Sequence, residues 1–273
     1  MTKNYAQIDQ DLHVLEFYKD KKGYFLDIGA HDGVSLSNTY LLEREHGWSG
    51  VCIEALPHVF AQLIKNRRCI CVCCVVFSES DVEQQFVCSD MLSGIVGYLN
   101  LDLHPGAMGG QMTVVKTRSV ESVLKEVDAP ASIDYLSLDT EGTELEILKG
   151  IDFDKRVFGM ISVEHNYQED KRSKMKALLR SHGYVYRGDN LFDDDYIHRS
   201  AIEGIYFFGN DLGRPITVTI DLESLDVVAE SSYWNRITGR LSPKDLTVTF
   251  EIGTVGRIFH DSIVFSETDS WKR

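Results

Sequence analysis

No stretch of the 273 residues is an apolar run long enough to cross a bilayer, and the opening Met1-Thr-Lys-Asn-Tyr-Ala-Gln has no apolar signal core. Basic residues are scarce as well. Twenty-eight Lys and Arg stand against 42 Asp and Glu, for a net charge of −14. A surface of that sign repels a nucleic-acid backbone, so no nucleic-acid partner is expected. The short Lys171-Arg172-Ser173-Lys174 run reads as the solvated face of a helix. Zinc-type cysteine pairing is missing too: of Cys52, Cys69, Cys71, Cys73, Cys74 and Cys88, four crowd into one expected strand. A zinc site wants a pair on a turn and a second, distant pair. These cysteines therefore read as reduced, small buried hydrophobes, and the expected compartment is reducing and cytoplasm-like. There is no internal repeat or low-complexity tract. What remains, 43% hydrophobic and 26% charged, is ordinary for a globular chain with a real core.

The stretch that organises the rest is Tyr24 to Gly33, Tyr-Phe-Leu-Asp-Ile-Gly-Ala-His-Asp-Gly. Tyr24 to Ile28 is short, apolar and partly β-branched, which suits a buried strand. Gly29 and Gly33 bracket a tight turn, and Ser35 to Glu45 reads as helix. Strand, glycine turn and helix open a nucleotide- or nucleoside-binding α/β fold. The dinucleotide fingerprint has a third glycine where a pyrophosphate sits on the helix end. Here that third glycine is absent, and Asp32 lies inside the turn. An acid repels phosphate and suits an ammonium group, which favours S-adenosyl-L-methionine over NAD.

The remaining pattern alternates strands with helices. An amphipathic helix covers roughly Ala6 to Lys19, and strands fall at Val51–Glu54, Cys69–Phe77, Gln84–Cys88, Ile133–Leu138 and Val157–Val163. Tyr184–Arg187 and Gly204–Phe208 are expected as the last two strands of the sheet. The long glycine-rich Ser89 to Gln111 reads as a functional loop, either a lid or an acceptor-binding segment. The fold class is α/β: a Rossmann-like, doubly wound, mostly parallel sheet over residues 1–209. Beyond it, short alternating runs such as Ile216–Ile220 and Leu246–Glu251 make residues 210–273 a small β-rich appendage, a mini-sheet or half a sandwich.

In such sheets ligands bind at the C-terminal strand edge. The strand-end residues are Asp27 and Gly29, Glu54, Ser78, Asp139 and Glu141, and then Glu164, His165 and Asn166. Glu54 lies at the distance from the glycine turn at which an acid accepts two ribose hydroxyls. Two uses of the other acids are open. Asp139, Glu164 and Asn166 would hold Mg2+ or Mn2+, or else Asp139 or His165 would act as general base on an acceptor hydroxyl. Glu141 is equally well explained as a cap on the following helix.

The set Asp27-Ile-Gly-Ala-His-Asp-Gly33, Ser37-Asn-Thr-Tyr40, Gly50-Val-Cys-Ile-Glu54-Ala, Ile133 to Gly142 with Glu144, and Ile161-Ser-Val-Glu164-His165-Asn166 resembles the FkbM family of S-adenosyl-L-methionine-dependent methyltransferases. Gln10-Asp11 and Asp194-x-Tyr196 extend the resemblance to about residues 5–208, leaving the β-rich tail outside it. The resemblance implies a methyltransferase fold and O-methylation, often of a sugar hydroxyl in a glycan or glycoconjugate. With it, Asp27, Gly29, Gly33 and Asn38 are expected at the methionine end of the cofactor. Glu54 is expected at the ribose, Ser78 near the adenine, and His31 and Ala55 beside them. Asp139, Glu164 and His165 are the expected catalytic residues. Two other readings stand beside this one: a non-catalytic glycan-binding protein on the same scaffold, and an NAD-dependent oxidoreductase.

Overall fold

The strand expected to organise the chain lies in the middle of the main sheet. A computed structural model describes residues 5–208, 211–232, 234–265 and 270–273. Its first half runs α1 (Gln10–Tyr18), β1 (Tyr24–Ile28), α2 (Tyr40–His46), β2 (Ser49–Glu54), α3 (Pro57–Asn66), β3 (Ile70–Cys73), β4 (Val75–Val76), β5 (Glu83–Cys88), β6 (Gly94–Ile95) and β7 (Gln111–Arg118). There follow α4 (Val120–Glu126), β8 (Ser132–Leu138), α5 (Glu144–Lys149), β9 (Val157–Glu164), α6 (Glu169–Ser181), β10 (Tyr184–Asn190) and β11 (Asp193–His198). Seven strands form one sheet in the order β10-β11-β9-β8-β1-β2-β3. β1, β2, β3, β8 and β9 are parallel, and β11 is antiparallel to both its neighbours. The chain builds outward from β1 to β3, then returns to add β8 and β9 on the other side. Strand order therefore reverses between β1 and β8, where open α/β sheets leave a crevice for ligands.

The pleat sends alternate residues of β1 to different cores. Phe25 packs with Phe17, Leu42 and Leu63 of α1, α2 and α3. Leu26 and Ile28 pack with Val123, Leu148 and Leu179 of α4, α5 and α6. Three elements differ from the sequence reading. The helix expected from Ser35 begins at Tyr40, because Asp32 Oδ1 accepts the Val34 and Ser35 N–H groups (2.8 and 2.7 Å) and Leu36 has φ +57°. The expected Cys69–Phe77 strand breaks at Cys74, whose N–H donates to Glu54 O (3.1 Å). Val75–Val76 then leaves for a second sheet, β4-β7-β5-β6, which packs Phe86 and Ile95 against Leu56 and Val59. The last strand position is filled by β11 rather than Gly204–Phe208. All six cysteines are free; Cys52 is buried, Cys73 exposed, and the rest half-buried.

Gly204–Phe208 (β12) instead opens a closed barrel with β13 (Asp211–Ile220), β14 (Asp226–Ser231), β15 (Trp234–Ser242), β16 (Thr247–Phe250), β17 (Val255–Phe259), β18 (Ser262–Val264) and β19 (Ser270–Lys272). The appendage is thus neither a mini-sheet nor half a sandwich. Pairing of β12 with β19 removes both edges, and Ile216, Val218, Val227, Val248, Phe250 and Ile263 are buried at alternating strand positions. The same apolar cluster includes Phe17 and Tyr18 of α1, and Trp48. Arg257 pairs with Glu16, and Lys19 Nζ sits 3.2 Å from the Phe259 ring centre. Among the described residues no helix is long and apolar enough to cross a membrane.

Candidate active site

The glycine turn is held against two strand ends. Gly29 has φ +95°, and a Cβ there would stand 1.7 Å from Asp139 O, so no other residue fits. The Gly29 and Ala30 N–H groups donate to Ile53 O (3.0 Å each), and the His31 N–H donates to Glu54 Oε2 (3.0 Å). The Leu56 N–H donates to Glu54 Oε1 (2.7 Å). Burial pushes the Glu54 carboxyl up, against the pull of these N–H groups and of His31.

Two adjoining clefts open at this edge and share Gly29, His31, Met91 and Asp139. The larger, about 730 Å³, is walled by Glu54, Ala55, Cys74, Val75, Val76, Phe86 and Ile95. The smaller, about 500 Å³, is lined by Asp27, Asn38, Ser137 and Gln10. Asn38 Nδ2 donates to Ser137 Oγ (3.0 Å), which leaves Asn38 Oδ1 buried without a partner. Thr39 Oγ1 donates to Asp27 Oδ2 (2.5 Å) and accepts from Arg67 Nη2 (3.0 Å). Arg67 Nε donates in turn to Glu43 Oε2 (2.6 Å). Burial raises the Asp27 pKa, and Arg67 and the Thr39 hydroxyl work against it.

Where the clefts meet, ligand oxygens of Asp139, Glu141 and Glu164 lie within 4.8 Å of one another. Burial raises all three carboxyls; Asp139 adds to it at Glu141 and at Glu164, whereas at Asp139 itself a hydrogen bond with Glu164 works against it. Asp139 is pushed up to about 6, with Glu144 adding to the burial effect, and Glu141 to about 8, with Asp139 adding to it. Glu164 rises well above the usual range. Neighbouring Glu144 behaves oppositely: burial would raise it, but Lys171 at 2.8 Å and the Gly142 N–H hold it low. Among the described residues no Lys or Arg pairs with the other three; the nearest basic side chain is His104, with Nε2 3.9 Å from Glu141 Oε2. Glu141 (φ +59°), Asn166 (+44°) and Tyr167 (+56°) all sit in the left-handed region, where strain gathers at functional sites. The 89–111 segment rests on both acid-bearing loops. Asn100 Nδ2 donates to Asn166 O (3.1 Å), and a Cβ on Gly142 would meet Tyr98 O at 2.1 Å.

Asp27, Gly29, His31, Asn38, Glu54, Ala55 and Asp139 therefore line the clefts, and Glu164 joins Asp139 at their junction. Four expected residues do not take their expected places. His165 lines neither cleft: it follows Glu164 on an extended chain and turns the other way, with Nδ1 accepting the Tyr167 N–H (3.0 Å) and Nε2 3.8 Å from Asp194 Oδ1. Gly33 faces Leu63 and Arg67 behind the turn. Ser78 lies against Gly150, because the strand meant to carry it ended at Cys73. Asn166 presents its amide nitrogen to Glu164 (2.7 Å), so the third oxygen donor is Glu141. Asp32, inside the turn, is engaged by Val34 and Ser35 and lines neither cleft. Residues without a role in the sequence reading are Thr39, quoted only within its motif, Arg67 behind it, His104, and Asp193, which stands opposite Glu164 and accepts from Gln10 Nε2 (2.8 Å). The quoted Gln10-Asp11 pair was the one signal for that last contact.

The sequence model of the methyltransferase FkbM domain matches residues 27–186, more than half of the chain. The chain belongs to the FkbM methyltransferase family. The match runs from Asp27 at the end of β1 to β10, and thus includes every cleft residue named above except Gln10. Among solved structures, the methyltransferase FkbM of Methylobacillus flagellatus KT is similar at 13% identity and a TM-score of 0.42, over 69% of this chain and 50% of that one. This FkbM chain thus spans half the length of that protein. A precorrin-6y C5,15-methyltransferase from Geobacter metallireducens GS-15 is similar at 12% identity and a TM-score of 0.40, over 72% of this chain and 89% of that one. A search of the curated proteins finds no match.

Proposed function

We propose that the chain is an S-adenosyl-L-methionine-dependent O-methyltransferase whose acceptor is a hydroxyl of a carbohydrate or glycoconjugate. The observation that carries this reading is the sharing of Asp139 by two clefts of complementary chemistry. In the smaller, the unpaired Asn38 Oδ1 and the Asp27 carboxyl suit an ammonium group. In the larger, Glu54 suits two ribose hydroxyls, and Val75, Val76, Phe86 and Ile95 suit a flat base. Bound across both, S-adenosyl-L-methionine supplies a sulfonium methyl group and brings no phosphate into an acidic site. Asp139, at about 6, is ionised at neutral pH yet basic enough to take a hydroxyl proton. Glu141, at about 8, keeps its proton there and is free to donate to the acceptor. Tyr98 and Asn100 dock on the acid-bearing loops beside this junction. The carbohydrate part of the reading rests on the family resemblance.

A second reading of the same acids is favoured by their spacing. Three carboxylates within 4.8 Å form a hard oxygen set for Mg2+ or Mn2+, which would lower the pKa of a coordinated hydroxyl. Transfer of a labelled methyl group to a panel of neutral glycosides, with and without EDTA, tests both. Asp139→Asn should lower turnover by about 10²–10⁴-fold. Turnover unchanged in that variant would overturn the role of Asp139, and full activity in EDTA would reject the cation.

A further inference from the structure

Residues 89–110 contain no Lys or Arg, and their only acids are Asp90 and Asp102. The segment is rich in large apolar side chains, and several are left in solvent. Met91 is 47% exposed, Leu101 and Leu103 are each 44%, and Met108 is 38%. Val96, Leu99, Leu101 and Met108 line an open groove of about 820 Å³, with Asn100 and Gln168 also on its wall.

The groove lies beside the candidate active site, across a shared wall. Asn100 holds Asn166 O (3.1 Å), and Asn166 holds Glu164 (2.7 Å), so one wall ends at the acids. Leu99 packs where a Cβ on Gly94 would meet it at 2.6 Å, and Gly94 lines the larger cleft. Apolar surface gathered beside a site marks ligand contact, and Leu and Met adapt to many shapes. Charge narrows the class of ligand. Asp102 is on the groove wall, the segment offers no Lys or Arg to an anion, and Lys171, the cation that acts on Asp139 and Glu141, is held by Glu144 (2.8 Å). We infer that the groove holds the apolar body of the methyl acceptor, which makes the substrate an uncharged amphiphile. Its hydroxylated head lies at Asp139, Glu141 and Glu164, and its alkyl or polycyclic part lies along Leu99, Leu101 and Met108. The placing of the head rests on the methyl-transfer reading; the groove's preference for a neutral apolar body does not.

Calorimetry on the full chain, free and saturated with S-adenosylhomocysteine, tests this with three probes: n-octyl β-D-glucoside below its micellar concentration, glucose, and octyl sulfate. The glucoside should bind at least about tenfold more tightly than glucose, since two buried methylene groups already suffice for that, and more tightly than octyl sulfate, whose anionic head meets the acids. Leu101→Asp and Met108→Asp change exposed positions, so folding should survive. Each should cost about tenfold in glucoside affinity while S-adenosylhomocysteine affinity stays unchanged. Equal binding of glucose or octyl sulfate, or variants that lose nothing, would overturn the inference. Sedimentation with phosphatidylcholine vesicles, without binding of the monomeric glucoside, would give the groove to a membrane and overturn it as well. Absence of S-adenosylhomocysteine binding with the glucoside preference intact would strike only the methyl-transfer reading.

Discussion

At Glu141 the folded chain keeps a proton that the unfolded chain has already released. Its carboxyl is pushed up to about 8 by burial and by Asp139, and Asp139 itself to about 6, against about 4 for such groups in an unfolded chain. The folded state therefore binds more protons between those values. The stability these groups contribute is fully present below the unfolded pKa and is lost as pH rises through 6 and then 8. The melting temperature should fall between pH 5 and pH 8, and Glu141→Gln should flatten the fall and raise Tm at pH 8. A steeper fall in the variant, by scanning fluorimetry, would contradict the placing of Glu141. Gly29→Ala should cost about 3 kcal/mol or more in denaturant unfolding, because its Cβ would meet a backbone oxygen that cannot give way. The strand-end residues Asp27, Glu54, Asp139 and Glu164 were legible in the sequence, because parallel strands put their ends on one edge. His165, expected at the site together with Glu164, is on neither cleft lining, because adjacent side chains on extended backbone face opposite ways. Thr39 stood within the quoted Ser37-Asn-Thr-Tyr40 run without a role, and Arg67 left no signal, since its bond to Thr39 behind Asp27 is made across separate elements.

Among the elements, β11 shows why propensity misleads at a functional edge. Asp193-Asp194-Asp195 opposes strand formation unless each acid finds a partner, and each does. Gln10 Nε2 holds Asp193 (2.8 Å), Arg172 holds Asp194 (2.7 to 3.1 Å), and Ser162 Oγ holds Asp195 (2.6 Å). None of these partners is local in sequence, so the strand could not be read from its own residues. Arg172→Met removes the closest cation from buried Asp194, leaving Lys176 at 3.7 Å and the Tyr196 hydroxyl at 3.3 Å, and should cost about 1–3 kcal/mol. An unchanged unfolding midpoint would show that Asp194 has another way to be satisfied. The late start of α2 has the opposite character. Asp32 and Ser37 accept from backbone N–H groups nearby, Ser35 Oγ donates to Asp32 Oδ2, and these bonds win against the helix, a competition written in the local sequence.

On the scale of the molecule, the alternation of strands and helices was readable to about β10, while closure of the tail into a barrel was not. Closure is decided by the pairing of β12 with β19, more than 60 residues apart, and no local pattern encodes it. The barrel is also less separable than its sequence boundary implies, because Phe17, Tyr18 and Trp48 share its apolar cluster. A chain ending at Glu203 should uncover that face and show a lowered Tm. A chain ending at Gly209 keeps β12 without a partner strand and should aggregate first. Equal behaviour of the two by size-exclusion chromatography would contradict the place of β12 in the barrel. Whether the paired clefts take S-adenosyl-L-methionine is read most directly by calorimetry of the full chain with S-adenosylhomocysteine and with NAD. S-adenosylhomocysteine should bind, NAD should not, and Glu54→Ala should weaken the binding by about 1–3 kcal/mol through the lost ribose hydrogen bonds. Tight binding of NAD with none of S-adenosylhomocysteine would contradict the assignment of both clefts.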